Sequence, residues 1–168
     1  NRSDQPVTSL RAVLTANGAQ NQLLGTARGS TLLDTLPPGA TSPAKVCFRN
    51  QDISAADTLS CTVEGRYAAS DEREASHQQL EIVSESGQQL EKGRYRLTAE
   101  IRNAGQRTAN AVQLIATAYN ADGALIGIAS AHLSGGSLAP GEQASIETTI
   151  LVQGDVAAHR IQAQARVR

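Results

Sequence analysis

Methionine and tryptophan are absent from this chain, and aromatic residues make up only 2% of it: one phenylalanine and three tyrosines. A core so poor in aromatics must be filled by aliphatic side chains and alanine, which bury less area each, so modest stability is expected. The same shortage removes the stacking surfaces that single-stranded nucleic acid requires and argues against stacking on sugar rings. Basic charge is not in excess either. Fifteen Lys and Arg against sixteen Asp and Glu leave a formal net charge of −1, so nothing is in surplus to neutralise a phosphate backbone. Nucleic acid is therefore not an expected partner. No apolar run approaches the roughly 20 residues that span a bilayer. With no methionine there is no initiator, and the chain is read as a processed or excised piece whose upstream signal or lipid anchor has been removed.

Cysteine is scarce. Cys47 and Cys61 are the only two, with no CxxC pair and no adjacent histidine to suggest a metal site. In an exported protein they are candidates for a disulfide.

What the chain does contain is internal similarity at an offset of 102. NRSDQPVTSLRAVLTANGAQNQLLGTA (1–27) lies on NAGQRTANAVQLIATAYNADGALIGIA (103–129), LPPG (36–39) on LAPG (138–141), AKVCFRNQ (44–51) on IETTILVQ (146–153), and AADTLSCTVEGR (55–66) on AAHRIQAQARVR (157–168). The 66 pairs need no gap and hold 14 identities, where composition alone would give roughly 4 to 6. Leu10, Val13 and Leu24 match Val112, Ile115 and Ile126 in apolar character, as Leu59 matches Ile161. The expected organisation is a first repeat at 1–67, a polar linker at 68–76 with room for a helical turn, and a second repeat at 77–168. The first repeat has no counterpart of residues 78–102.

Period-two alternation dominates. Tyr95, Leu97, Ala99 and Ile101 fall on one face of a strand, Ile146, Thr148, Ile150 and Val152 on one face of another, and Ile161, Ala163, Ala165 and Val167 on one face of a third. Runs at 111–119 and 123–131 are rich in β-formers and bounded by turn residues. Short strands with a turn every ten or so residues predict an all-β chain of two tandem immunoglobulin-like β-sandwiches, the first lacking its N-terminal strands.

The second repeat resembles the bacterial FxLYD domain. The features that carry the likeness are Ile101-Arg102-Asn103, Tyr119-Asn120, Asp122-Gly123 and Leu138-Ala139-Pro140-Gly141-Glu142. It departs from the family pattern at Ala116, where an aromatic is expected, and at Asn120, where an Asp is expected. The CARDB-type adhesion sandwich shares much of this grammar and is a close competitor. The resemblance implies a structural role for the motif residues Asn103, Tyr119, Asn120, Asp122, Gly123, Pro140 and Gly141. It also implies an extracytoplasmic location, in the periplasm or at the cell surface, with lipid anchoring through a removed N-terminus. It implies no catalytic residue.

Asn120, Asp122 and Gly123 also invite a calcium reading. Calcium wants six to eight oxygens and a distal bidentate Glu, but the twelfth position from Asn120 is Ala131, and the first repeat has Gln20 and Asn21 where Asp122 and Gly123 stand. A strand–turn–strand corner accounts for both sequences, because Asn and Gly share the left-handed backbone region. The histidines, His77, His132 and His159, are scattered, and no GxSxG elbow is present. Asp71, Glu72 and Glu74, with Arg73 among them, form a solvated run. By the offset, Cys47 and Cys61 fall on what should be the last two, neighbouring strands, where a bulge would bring them onto one face for a disulfide. Arg102, Arg107 and His132 lie in strand-end positions suited to contact with other molecules.

The expected function is a non-enzymatic structural or protein-interaction module of a bacterial envelope protein, with an unknown protein partner and no cofactor or metal. A small-ligand or glycan-binding module and a loop-built hydrolase are the alternatives. The strands missing from the first repeat are expected upstream. Supply by another chain, through strand exchange, is the competing reading.

Overall fold

The computed structural model describes residues 1–77, 79–91 and 93–167. Arg168 and the side chains of Arg73, Glu74, His77 and Val167, named above, fall outside what it describes. The chain is all-β, 58% strand, in several antiparallel sheets. It divides into two compact units, Asn1–Ala69 and Ser70–Arg168.

The first unit holds one four-stranded sheet built on β1 (Val7–Asn17). On one side β1 pairs with β2 (Leu23–Ser30) and, at its start, with β3 (Thr35–Leu36); on the other side it pairs with β4 (Thr58–Tyr67). Its buried hydrophobic side chains are small or few: Ala12, Ala16, Ala27, Leu33, Leu36 and Ala68.

The second unit opens with a short helix, α1 (Ser70–Ala75), whose first turn carries Asp71 and Glu72 where the helix dipole favours negative charge. β5 (Ser76–His77) then pairs with the end of the chain, so the close of the expected linker is taken into a sheet. Next come β6 (Leu80–Leu90), β7 (Arg94–Asn103), β8 (Ala109–Tyr119), β9 (Leu125–His132), β10 (Ser137–Leu138), β11 (Gln143–Leu151) and β12 (Ala158–Val167). One sheet runs β10-β8-β12-β5 with β9 also on β8; the other runs β11-β7-β6. Leu97, Ala99 and Ile101 of β7 and Ile146 and Ile150 of β11 share a hydrophobic cluster with Val112, Leu114, Ala116 and Ala118 of β8. The alternation read from these segments is the alternation that is buried.

One sequence expectation is corrected. The segments 146–153 and 157–168 were expected as neighbouring strands, but β11 pairs with β7 and β12 with β8, in different sheets. Alternation identifies the buried face of a strand and not the strand beside it.

The offset of 102 recurs in the backbone. β1, β2 and β3 have the bounds of β8, β9 and β10 displaced by that number. Ser9 and Ala111 share a positive φ, 55° and 51°. Gly18 N donates to Gln22 O at 2.8 Å, as Asn120 N does to Ala124 O at 3.0 Å; Thr31 N donates to Leu10 O, as Leu133 N does to Val112 O. The correspondence breaks in the last strand. Asn17 faces Thr58, whereas Tyr119 faces Ala158, so β4 matches β12 at an offset of 100 and the gap-free alignment does not hold there. A two-residue slip leaves the same side chains on the same face, which is why the apolar pattern conceals it.

Among the described residues no helix is long and apolar enough to cross a membrane.

Candidate functional site

Asn103 ends β7 and is fully buried. Its backbone N donates to Glu142 O at 3.0 Å, and its O accepts from Gly141 N at 2.8 Å. Its carboxamide donates to the carbonyls of Arg107 and Leu138 at 2.9 Å each and accepts from Gly105 N at 2.9 Å. Asn1 makes the same five bonds in the first unit. Its N donates to Ala40 O at 2.7 Å, its O accepts from Gly39 N, its carboxamide donates to Gln5 O and Leu36 O, and Ser3 N donates to its Oδ1. In each unit the asparagine clamps the turn that follows the short strand. In the second unit that turn is Ala139-Pro140-Gly141-Glu142, with Gly141 at φ 78° and Glu142 N bonded to Ala139 O, the arrangement proline and glycine favour.

The inner face of the sheet distinguishes the units. In the second, β6 packs against β12, and the inner side chains His159, Ile161, Ala163 and Ala165 are half-buried or buried. In the first, Leu59, Cys61 and Val63 of β4 face Ala16, Leu14 and Ala12 of β1, and paired residues share a face. Tyr67 continues the same alternation. Leu59, Val63 and Tyr67 are 61%, 62% and 58% exposed. Full burial of such side chains is worth roughly 1.5–3 kcal/mol each, so this stripe is an unspent source of binding free energy. Leu23 and Leu125, at corresponding positions beyond the hairpin turn, are exposed in both units and do not mark the difference.

The absence of a ladder explains part of this. β11 is a strand because β7 lies beside it over nine paired residues. The corresponding stretch 41–49 has only the isolated Thr31–Ala44 bridge and is otherwise irregular. It still passes over β2: a Cβ on Gly29 would meet Lys45 and Val46, and one on Gly25 would meet the side chain of Gln51, just beyond the stretch. A Cβ on Gly127 would meet Ile150 and Val152. The segment keeps its place over the sheet without the partner that would make it a strand.

Three residues not singled out as a site by the sequence meet in the second unit. Tyr95 Oη lies 3.0 Å from His159 Nδ1, and His159 Nε2 lies 3.5 Å from Glu85 Oε1. The phenol passes directly over Gly87, where any Cβ would collide with it. Burial, and then the charge of Glu85, raise the Tyr95 pKa above its ordinary 10.0. A phenol that holds its proton this firmly is no nucleophile or base at neutral pH. Its evident work is to tie β7 to β12 and close that end of the core. Gly87 within the polar run Ser84–Gln89 of β6 was the available signal, marking a close approach.

The remaining expected residues fall as follows. Asn120 Oδ1 accepts from Asp122 N at 3.1 Å and Ala124 N at 2.9 Å, and Gly123 has φ 76°. Asn120, Asp122 and Gly123 thus form an Asx-type hairpin corner, and Tyr119 sits half-buried beside it. Cys47 and Cys61 are free, exposed thiols; Cys47 lies in the irregular 41–49 stretch and Cys61 on the open face of β4. Arg102 pairs with Glu81 across β7 and β6. The Arg107 carbonyl is bound by Asn103, and His132 is exposed at the end of β9. Among the described residues no cluster of three or more His, Cys, Asp or Glu could hold a metal ion.

No family model matches this chain, and no curated protein is significantly similar to it.

Proposed function

We infer that this chain is a non-enzymatic structural or protein-interaction module, made of two tandem copies of one immunoglobulin-like sandwich and carried outside the cytoplasm by a bacterial envelope protein. The observation that carries the interaction reading is the stripe Leu59-Cys61-Val63-Tyr67, exposed on the first unit while the corresponding face of the second is covered. Exposed apolar stripes of this kind mark surfaces that are meant to be filled. The reading of two copies is supported by the 102-residue recurrence of strand bounds, hydrogen bonds and the asparagine clamp. The envelope location is supported by the resemblance of residues 77–168 to the FxLYD pattern.

An environment-sensitive hydrophobic dye tests the open face. The whole chain binds it, and the double substitution Leu59→Ser, Val63→Ser abolishes that binding while leaving the circular dichroism of the sheets intact. A chain that binds no dye has no open face, and the interaction reading fails. Fractionation of the source bacterium with an antibody to this chain tests location; recovery with the cytosol would remove the envelope assignment.

A further inference from the structure

The element that the first unit lacks has its counterpart in the second. In the second unit β6 and β7 form a hairpin that lies over the sheet: β7 gives β11 its ladder, β6 covers β12, and β7 runs straight into Asn103. Asn1 stands where Asn103 stands by all five of its hydrogen bonds, including the one from its own backbone nitrogen to Ala40. That nitrogen therefore lies where a strand of the β7 kind enters. Two further observations point to the same missing element. The 41–49 stretch occupies the place of β11 but has the isolated Thr31–Ala44 bridge in place of a nine-residue ladder, and the inner side chains of β4 are bare where those of β12 are covered.

We propose that the first unit is completed by a two-stranded antiparallel β-hairpin joined to the amino side of Asn1, with the alternation of residues 78–102: apolar side chains at every second position of its second strand, as at Leu97, Ala99 and Ile101. This rests on the reading of the units as two copies, and it assigns the stripe to completion of the unit itself, which leaves the structural role and not the protein-interaction role. The hairpin turns 41–49 into a strand, because the second strand offers it a row of backbone donors and acceptors. Its first strand covers Leu59, Cys61 and Val63. Direct attachment is favoured over a separate chain because β7 runs without a break into Asn103, and Asn1 repeats the hydrogen bonds of Asn103. A second copy of this molecule is a poor donor, since its own β6 and β7 would first have to leave a core in which Leu97 and Ile101 are fully buried.

The test is a chain in which the sequence of residues 78–102 is repeated ahead of Asn1, compared with the 168-residue chain, both carrying Cys47→Ser so that Cys61 reports alone. The expected result is that modification of Cys61 by a thiol reagent slows by about tenfold or more in the native state, as for a group that reacts only through local opening. Dye binding falls with it, and both effects are lost when the added copies of Leu97 and Ile101 are replaced by serine. A fused chain that fails to fold, or that folds with Cys61 as reactive as before, overturns the proposal. So does a free peptide of residues 78–102 that protects Cys61 at micromolar concentration as well as the fusion does, which would assign the hairpin to a separate chain. The two readings fail separately: an unfused chain without dye binding has no open face, whereas dye binding that the fusion does not displace leaves the face open and removes only its completion by this hairpin.

Discussion

Tyr95 Oη lies 3.0 Å from His159 Nδ1, and this one contact joins β7 of one sheet to β12 of the other. Tyr95→Phe keeps the buried ring and removes the bond, at a cost of about 1 kcal/mol in denaturant unfolding of the second unit. The pH dependence has a definite sign. The folded Tyr95 pKa is raised above the ordinary 10.0, so its contribution to stability is complete below that value and is lost as the pH climbs through the folded pKa. Absorbance titration is expected to show a phase above the ordinary tyrosine range, and Tyr95→Phe removes it.

Asn103 is fully buried and Asn1 half-buried in equivalent clamps. Asn103→Ala strands two buried carbonyls and one N–H, and is expected to cost about 2–3 kcal/mol; Asn1→Ala, where water reaches the same groups, about 1 kcal/mol. Urea midpoints of the two variants, followed unit by unit, give the comparison. Equal costs would mean that burial does not set the strength of the clamp.

Gly25 and Gly127 occupy equivalent places but have different neighbours. A Cβ at Gly127 would stand 2.5 Å from Ile150 Cγ2 and 2.7 Å from Leu151 O, whereas one at Gly25 meets the Gln51 side chain, which is exposed. Gly127→Ala is therefore expected to destabilise by about 1–3 kcal/mol through overpacking, and Gly25→Ala by less than about 1 kcal/mol, because Gln51 can swing away. Thermal unfolding of the two variants checks the order.

Asn120 holds its corner through two backbone N–H groups, and the Asp122 side chain is exposed. Asn120→Ala is expected to cost about 1 kcal/mol and Asp122→Ala under about 0.5 kcal/mol. Millimolar calcium is expected to leave the melting temperature of all three proteins unchanged. A rise of several degrees that Asp122→Ala abolishes would make the corner a cation site.

The strands themselves were legible. Period two in YRLTAEI, SIETTIL and RIQAQAR follows from the pleat, which sends neighbouring side chains to opposite faces, and the buried residues fall on the expected positions. So did the corner at Asn120–Gly123 and the turn at Pro140-Gly141, because a positive φ restricts which residues can stand there. The Tyr95–His159–Glu85 contact was not legible. It joins residues 64 and 74 positions apart, and no local pattern encodes which strands face each other across a core.

Alternation and turn chemistry are local properties, so the order of amino acids alone determined that this chain is β and where it turns. Pairing is not local. That β11 and β12 belong to different sheets, that β4 matches β12 at an offset of 100 and not 102, and that 41–49 forms no strand were decided only in three dimensions. A strand exists by virtue of the backbone beside it, and an even slip leaves every side chain on the face its sequence prescribes.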